Sequence, residues 1–200
     1  MPSTIQASPD PGLARGRRIP RGARAGTSFV ELLVVMVIMI VAVTMFASTV
    51  TNNVRQRAHN REMVIASEAA RAVVEELRGV SFAEVYARYN ENKDDDPESG
   101  TSPGPWFSVA GLSALAGAHE GCQGMIHLPE YESAEGAYQL REDLADEDLG
   151  MPRDLSGDNL IDGADHAADY SILPVRVRVE WDGYGGERHF EIVTLLTEFS

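Results

Sequence analysis

The stretch from Phe29 to Val50 most constrains what this chain can fold into. It is apolar apart from Glu31 and a few hydroxyl residues. About 20 apolar residues cross a bilayer as a helix. The run meets that length and exceeds the apolar core of about 7–15 residues typical of a secretory signal. Because neither Gly nor Pro occurs between Gly26 and Gly79, the sequence predicts one helix that continues beyond the membrane.

The second half of this predicted helix is amphipathic. Apolar side chains recur at steps of three and four, which places them on one face of a helix. Gly79 is a plausible end, since glycine is common just after a helix. We therefore predict a helix from Ser28 to Arg78, divided into a transmembrane or filament-core segment at 27–50 and an amphipathic continuation at 51–80. The stripe consists of Met63, Ala66, Ala70, Val73, Leu77 and Val80.

Residues 81–200 are predicted to form a globular, β-rich domain. A short helix is expected over 81–89 and an exposed Asp/Pro/Gly-rich loop over 90–105. Apolar and polar residues alternate strictly towards the end, so Val175, Val177, Val179 and Trp181 are expected to face the helix stripe. The predicted fold class is α+β, with a long N-terminal helix packed on a small antiparallel sheet. Strands are predicted at 106–109, 125–128, 170–181 and 187–199.

Charge is distributed unevenly along the chain. The formal net charge is −14, from 31 acidic residues against 17 Lys and Arg, which argues against a nucleic-acid partner. Residues 1–26 nevertheless carry +4, leaving −18 on the remainder. Basic flanks are retained on the cytoplasmic side of a membrane. A cytoplasmic N-terminus and an exported C-terminal domain are therefore expected.

The residues around Glu31 resemble the signature of type IV prepilins, a family that includes the pseudopilins of type II secretion. A basic leader ends in a glycine, a glutamate stands five residues later, and an unbroken apolar helix follows. The later β-rich domain extends the likeness. The signature covers Arg24-Ala25-Gly26-Thr27-Ser28-Phe29-Val30-Glu31-Leu32-Leu33-Val34-Val35.

The resemblance implies a processing and assembly mechanism. A prepilin peptidase of the inner membrane would remove leader 1–26 by cutting between Gly26 and Thr27, and would methylate the new N-terminus. Glu31 would pair with the N-terminus of a neighbouring pilin or pseudopilin subunit. Thr27 departs from the apolar first residue usual in the family, which bears on methylation. The membrane segment has no proline, which favours a minor pilin or a pseudopilin.

A second motif lies in the acidic loop from Asp154 to Asp165. Its twelve residues fit the calcium loop of EF-hands and dockerins, with side-chain oxygens at positions 1, 3, 5, 9 and 12 and a carbonyl at position 7. Asn159 replaces the usual glycine at position 6, and Asp replaces Glu at position 12. The alternative is a solvated acidic turn. The predicted calcium ligands are Asp154, Ser156, Asp158, Leu160, Asp162 and Asp165.

No catalytic constellation is evident, so the chain is not expected to be an enzyme. His119, His127, His166 and His189 lack a spacing that suggests zinc. The acidic residues Glu142, Asp143, Asp146 and Glu147 are interpreted as surface charge. Cys122 is the single cysteine and therefore forms no intrachain disulfide. It is either a buried small hydrophobic residue or a site of pairing between chains.

Three functions are open at this point. The leading one is a structural, minor subunit of a type IV pilus or a type II secretion pseudopilus. The first alternative is a signal-anchored calcium-binding or adhesion protein that never polymerises. The second is an ordinary secreted protein that discards about the first 49 residues. Glu31 favours the leading hypothesis, because a plain anchor has no use for a carboxylate there.

Overall fold

The computed structural model describes residues 28–97, 100–134 and 136–198. Helix α1 spans Phe29–Gly79, 51 residues in all. It begins and ends within one residue of the predicted bounds. The predicted leader, with Gly26 and Thr27, lies outside the described residues.

The chain divides into two compact units, Met1–Ser48 and Thr49–Ser200, and α1 runs through the division. In the first unit the described part is apolar helix with every residue exposed. Its hydroxyl groups bond back to the helix: Thr44 Oγ1 donates to the carbonyl of Ile40 at 2.7 Å, and Ser48 Oγ donates to that of Thr44 at 2.9 Å. Such bonds satisfy polar side chains without help from solvent.

The second unit contains a four-stranded antiparallel sheet in the order β1-β2-β5-β6. Its strands are β1 (Trp106–Phe107), β2 (Gly124–His127), β5 (Ile172–Gly183) and β6 (Gly186–Thr197). The last two form a hairpin in which Ile172 pairs with Thr197 and Gly183 with Gly186. The predicted strands are confirmed in outline, but the turn is shorter than expected, leaving only Tyr184 and Gly185 between the strands.

Two elements were not predicted. Strands β3 (Glu130–Glu132) and β4 (Tyr138–Leu140) form a separate two-stranded sheet. Three-residue strands are too short to show a period, so the sequence pattern carries no signal for them. The predicted short helix is present as α2 (Phe82–Tyr89).

The core of the second unit lies between the C-terminal half of α1 and the sheet. Ala66 and Ala70 are completely buried. The predicted inward face is confirmed, since four alternating side chains of β5 are fully buried: Val175, Val177, Val179 and Trp181. On α1 the structure adds Val74, outside the predicted stripe, to the buried set.

Polar contacts fix the hairpin against the helix. Trp181 Nε1 donates to Glu62 Oε2 at 3.2 Å, which satisfies the indole of a buried tryptophan. Arg188 Nη1 lies 2.8 Å from His59 Nδ1. In the sheet, Gly124 is packed so closely by the ring of Phe107 that a side chain there would collide with it. These contacts hold the β5–β6 hairpin against α1 and limit residue 124 to glycine.

Candidate functional site

Glu31 lies in the first turn of α1 and is exposed. It is the one charged residue between Phe29 and Val54. Residues Leu32 to Val43 around and after it are apolar and exposed over roughly half or more of their surface in most cases. The helix is long and apolar enough to cross a membrane. The carboxylate therefore stands at the N-terminal end of an apolar helical segment that carries no other charge as far as Val54.

The acidic loop folds around its first residue. Asp154 Oδ1 accepts the N–H of Gly157 at 2.5 Å, and Asp154 Oδ2 accepts the N–H of Asn159 at 2.7 Å. These hydrogen bonds hold the pKa of Asp154 below its usual value. Gly157 and Asn159 both have positive φ, of 85° and 69°. Asn tolerates this backbone better than most residues, so it serves at the position where EF-hand loops have glycine.

The remaining predicted ligands take different partners. Asp158 Oδ1 accepts the N–H of Leu160 at 2.7 Å, and the Leu160 side chain is exposed. Ser156 Oγ lies 3.4 Å from Asp154 Oδ1. Asp165 Oδ1 accepts the backbone N–H groups of Leu140 and Ala167, both at 3.1 Å. Asp165 thus ties the end of the loop to β4.

One predicted ligand, Asp162, joins two residues that the sequence did not single out. Ligand atoms of Glu142, Asp162 and His166 lie within 4.8 Å of one another, so this group is able to hold a metal ion. His166 Nε2 is 3.4 Å from Asp162 Oδ1 and 3.7 Å from Glu142 Oε2. We call these three residues the Glu142–Asp162–His166 cluster.

Backbone pairing brings the cluster together. The N–H of His166 donates to the carbonyl of Leu140 at 2.9 Å, which places the start of the next segment beside the end of β4. Glu142 follows shortly after β4. Its Oε1 accepts the N–H groups of Leu155 at 2.6 Å and Ser156 at 2.9 Å. The Glu142 carboxylate is thereby fixed under the first residues of the acidic loop.

Burial of the cluster corrects two expectations. Glu142 was interpreted as surface charge, but it is 0% exposed. The spacing of His166 in the sequence did not suggest zinc, but the residue is 7% exposed and its Nε2 faces two carboxylates. Sequence spacing missed the cluster because Glu142 is 24 residues from His166 and comes close only through the β4 contact.

The charges in the cluster influence one another. Burial lowers the pKa of His166, but the hydrogen bond to Asp169 and the negative charge of Glu142 outweigh it, so the net shift is upward. The pKa of Asp162 is lowered, first by the N–H of Ala164 and then by the contact with His166. The arrangement therefore favours ionised carboxylates around a positive charge.

No protein-family model matches the chain, and neither the curated proteins nor the solved structures include one similar to it. Function must therefore be argued from the residues and geometry of this chain.

Proposed function

We propose that this chain is a structural, minor subunit of a type IV pilus or a type II secretion pseudopilus. It is made as a precursor, anchored in the inner membrane through α1 with its C-terminal domain outside, and cut by a prepilin peptidase between Gly26 and Thr27. The observation that carries the proposal is Glu31, which lies in the first turn of α1 and is the single charged residue of its exposed, apolar N-terminal part from Phe29 to Val54.

The energetic argument rests on the cost of an unpaired charge. A carboxylate costs about 2.5–3.5 kcal/mol on insertion scales at the middle of a bilayer, and less near an interface, where the first turn of a spanning helix lies. A new amino terminus at Thr27 carries the opposite charge. When such helices pack together, the Glu31 carboxylate of one subunit can form an ion pair with the amino terminus of the next. This pairing offsets the cost of placing each charge in apolar surroundings. Cleavage thus creates the positively charged amino terminus that pairs with Glu31.

The alternative is a signal-anchored protein that does not polymerise. The exposed apolar half of α1 suits a plain anchor equally well. Glu31 distinguishes the two, because an anchor gains nothing from a charge that raises its insertion cost. The filament subunit is therefore the better explanation of the same helix.

Glu31→Gln tests the assembly role directly. The variant is expected to be cleaved and inserted normally but to enter filaments at least tenfold less than wild type, since breaking a buried pair costs about 3–5 kcal/mol. Quantitative immunoblotting of purified filaments measures this. Glu68→Gln makes the same change on the exposed face of the same helix and is expected to assemble normally. Wild-type incorporation of Glu31→Gln would mean that the pairing role is wrong.

We further propose that the loop from Asp154 to Asp165 binds calcium. The twelve-residue spacing supports this, and so do the backbone N–H groups that orient Asp154 at the first position. We expect calcium to raise the free energy of unfolding of the full-length protein in detergent by about 1.4 kcal/mol when calcium is at ten times its dissociation constant. The measured sign of this stabilisation is a higher melting temperature. Asp158→Asn is expected to abolish the effect.

Asp94→Asn, in the exposed acidic run before β1, serves as the matched control and is expected to leave the calcium effect intact. Magnesium is expected to stabilise less, because it keeps its waters and demands a tighter octahedral geometry. An unchanged melting temperature at millimolar calcium would contradict the calcium proposal and leave the filament proposal standing.

A further inference from the structure

We propose that the Glu142–Asp162–His166 cluster binds one Zn²⁺ ion through Glu142 Oε2, Asp162 Oδ1 and His166 Nε2. This site goes beyond the filament function and does not depend on it. It also differs from the predicted calcium loop, with which it shares only Asp162.

The distances within the cluster suit ligands that share an ion. Zinc bonds nitrogen and carboxylate oxygen at about 2.0–2.2 Å in tetrahedral geometry, so two of its ligand atoms lie about 3.4 Å apart. His166 Nε2 lies 3.4 Å from Asp162 Oδ1 and 3.7 Å from Glu142 Oε2. A direct N–H···O hydrogen bond is normally about 2.9–3.0 Å. These two separations, with all three ligand atoms within 4.8 Å of one another, are compatible with a shared cation.

The orientation of His166 directs Nε2 at the two carboxylates. His166 Nδ1 lies 3.1 Å from Asp169 Oδ1, within hydrogen-bond distance. Without metal, a protonated His166 is the positive charge between the carboxylates. Metal binding displaces its Nε2 proton, because a histidine ligand must be neutral, and the remaining N–H at Nδ1 then donates to Asp169. Metal-binding histidines commonly donate their other N–H to a carboxylate in this way. Asp169 is therefore a positioning residue for the site.

Glu142 provides an independent indication of a ligand. Its Oε2 is buried and has no hydrogen-bond partner, while Oε1 is satisfied by two backbone N–H groups. A buried unpaired carboxylate oxygen is costly, and buried charges are normally paired or bound to a metal. The nearest opposite charge to Oε2 is His166 Nε2 at 3.7 Å, which is beyond hydrogen-bond distance, so a cation between the two atoms would contact Oε2 directly.

The donor set selects the metal. Calcium prefers six to eight oxygen ligands, whereas imidazole nitrogen suits zinc. Two carboxylates and a neutral imidazole also balance the charge of Zn²⁺. The Asp162 side chain is 53% exposed, so solvent reaches the ion from that side and water completes the tetrahedron. Bound there, zinc would link the segment after β4 to the segment before β5.

The test is zinc binding to the full-length protein in detergent after removal of metals with a chelator. Titration calorimetry and metal analysis are expected to show one high-affinity zinc per chain. Cobalt(II) in place of zinc is expected to give the intense visible absorption of a four-coordinate ion. His166→Gln and Glu142→Gln are each expected to lower zinc affinity at least tenfold and to remove that absorption.

Two further variants keep the result interpretable. Asp169 is an exposed residue, so Asp169→Asn tests the positioning of His166 without disturbing the core, and it is expected to weaken zinc binding tenfold to a hundredfold. His119→Gln, at an exposed histidine stacked on Trp106, is expected to leave zinc binding unchanged. Asp158→Asn is expected to affect calcium but not zinc. The proposal is overturned if no zinc binds, if His166→Gln and Asp169→Asn bind as wild type does, or if cobalt gives only a weak octahedral spectrum.

Discussion

The two halves of α1 are apolar in different ways. From Phe29 to Val50 apolar side chains occur all round the helix and all are exposed. From Met63 to Leu77 most lie on one face, although Val64 is 52% exposed, and the most buried of them belong to the core of the same domain. Of the two halves, only the second packs its apolar side chains into the core of its own domain.

This difference indicates where the partner of each half lies. A one-sided stripe is covered by its own domain, whereas a helix apolar all round belongs in a membrane or in the core of a larger assembly. Under the proposed function, lipid first surrounds the N-terminal half and neighbouring subunits later replace it. The stability of the domain is then expected to depend on one half of the helix and not on the other.

The same substitution in the two halves sharpens this comparison. Leu77 is 1% exposed and Leu33 is 51% exposed. Leu77→Ala is expected to lower the free energy of unfolding of the domain by about 2–5 kcal/mol, because it leaves a cavity in the core. Leu33→Ala is expected to change it by less than about 0.5 kcal/mol. Urea unfolding in detergent, followed by the fluorescence of buried Trp181, measures both.

Equal effects of Leu77→Ala and Leu33→Ala on the free energy of unfolding would contradict this expectation. Equal losses would mean that the apolar half also contributes to the folded domain. Negligible losses in both would mean that the stripe on α1 does not stabilise the sheet.

Much of the fold was predictable because α1 and β5 have apolar residues that recur at the period of a helix or a strand. The absence of Gly and Pro up to Gly79 gave the helix bounds, and strict alternation in β5 gave the inward face. Val74 was missed because the predicted stripe took Val73 instead, one residue away on the helix. The short strands β3 and β4 were missed because three residues do not establish a period.

The candidate metal cluster was less predictable than the fold. Asp162 was found through the spacing of the calcium loop, but Glu142 resembled its acidic neighbours in the sequence. Its burial results from backbone hydrogen bonds to Leu155 and Ser156, which no sequence period encodes. The roles predicted for Gly26 and Thr27 stay predictions, and so does pairing through Glu31.

A partly buried carboxylate of the folded domain, Glu130 in β3, gives a smaller expected effect. Burial and the nearby charges of Glu91 and Asp95 raise the pKa of Glu130 to about 7, and its Oε1 has no hydrogen-bond partner. Since the pKa is higher in the folded state, ionisation favours unfolding. The domain is therefore expected to lose stability as the pH rises from about 4.5 to 7, and Glu130→Gln removes that loss.

Thermal unfolding at several pH values measures this effect. Glu130→Gln is expected to stabilise the domain by about 1–2 kcal/mol at pH 8, after allowance for solvent screening, and by little at pH 4.5. A constant effect of Glu130→Gln at all pH values would contradict the assignment.

The most direct test of the central claim is the N-terminus of the protein recovered from membranes, read by mass spectrometry. If the chain is a prepilin, the mature protein is expected to begin at Thr27. A Gly26→Val variant is then expected to stay at full length in the membrane, because a bulky residue would hinder a protease that closes on extended backbone. A mature chain that begins near Ser48, or a wild-type protein that keeps its first 26 residues, would contradict the account.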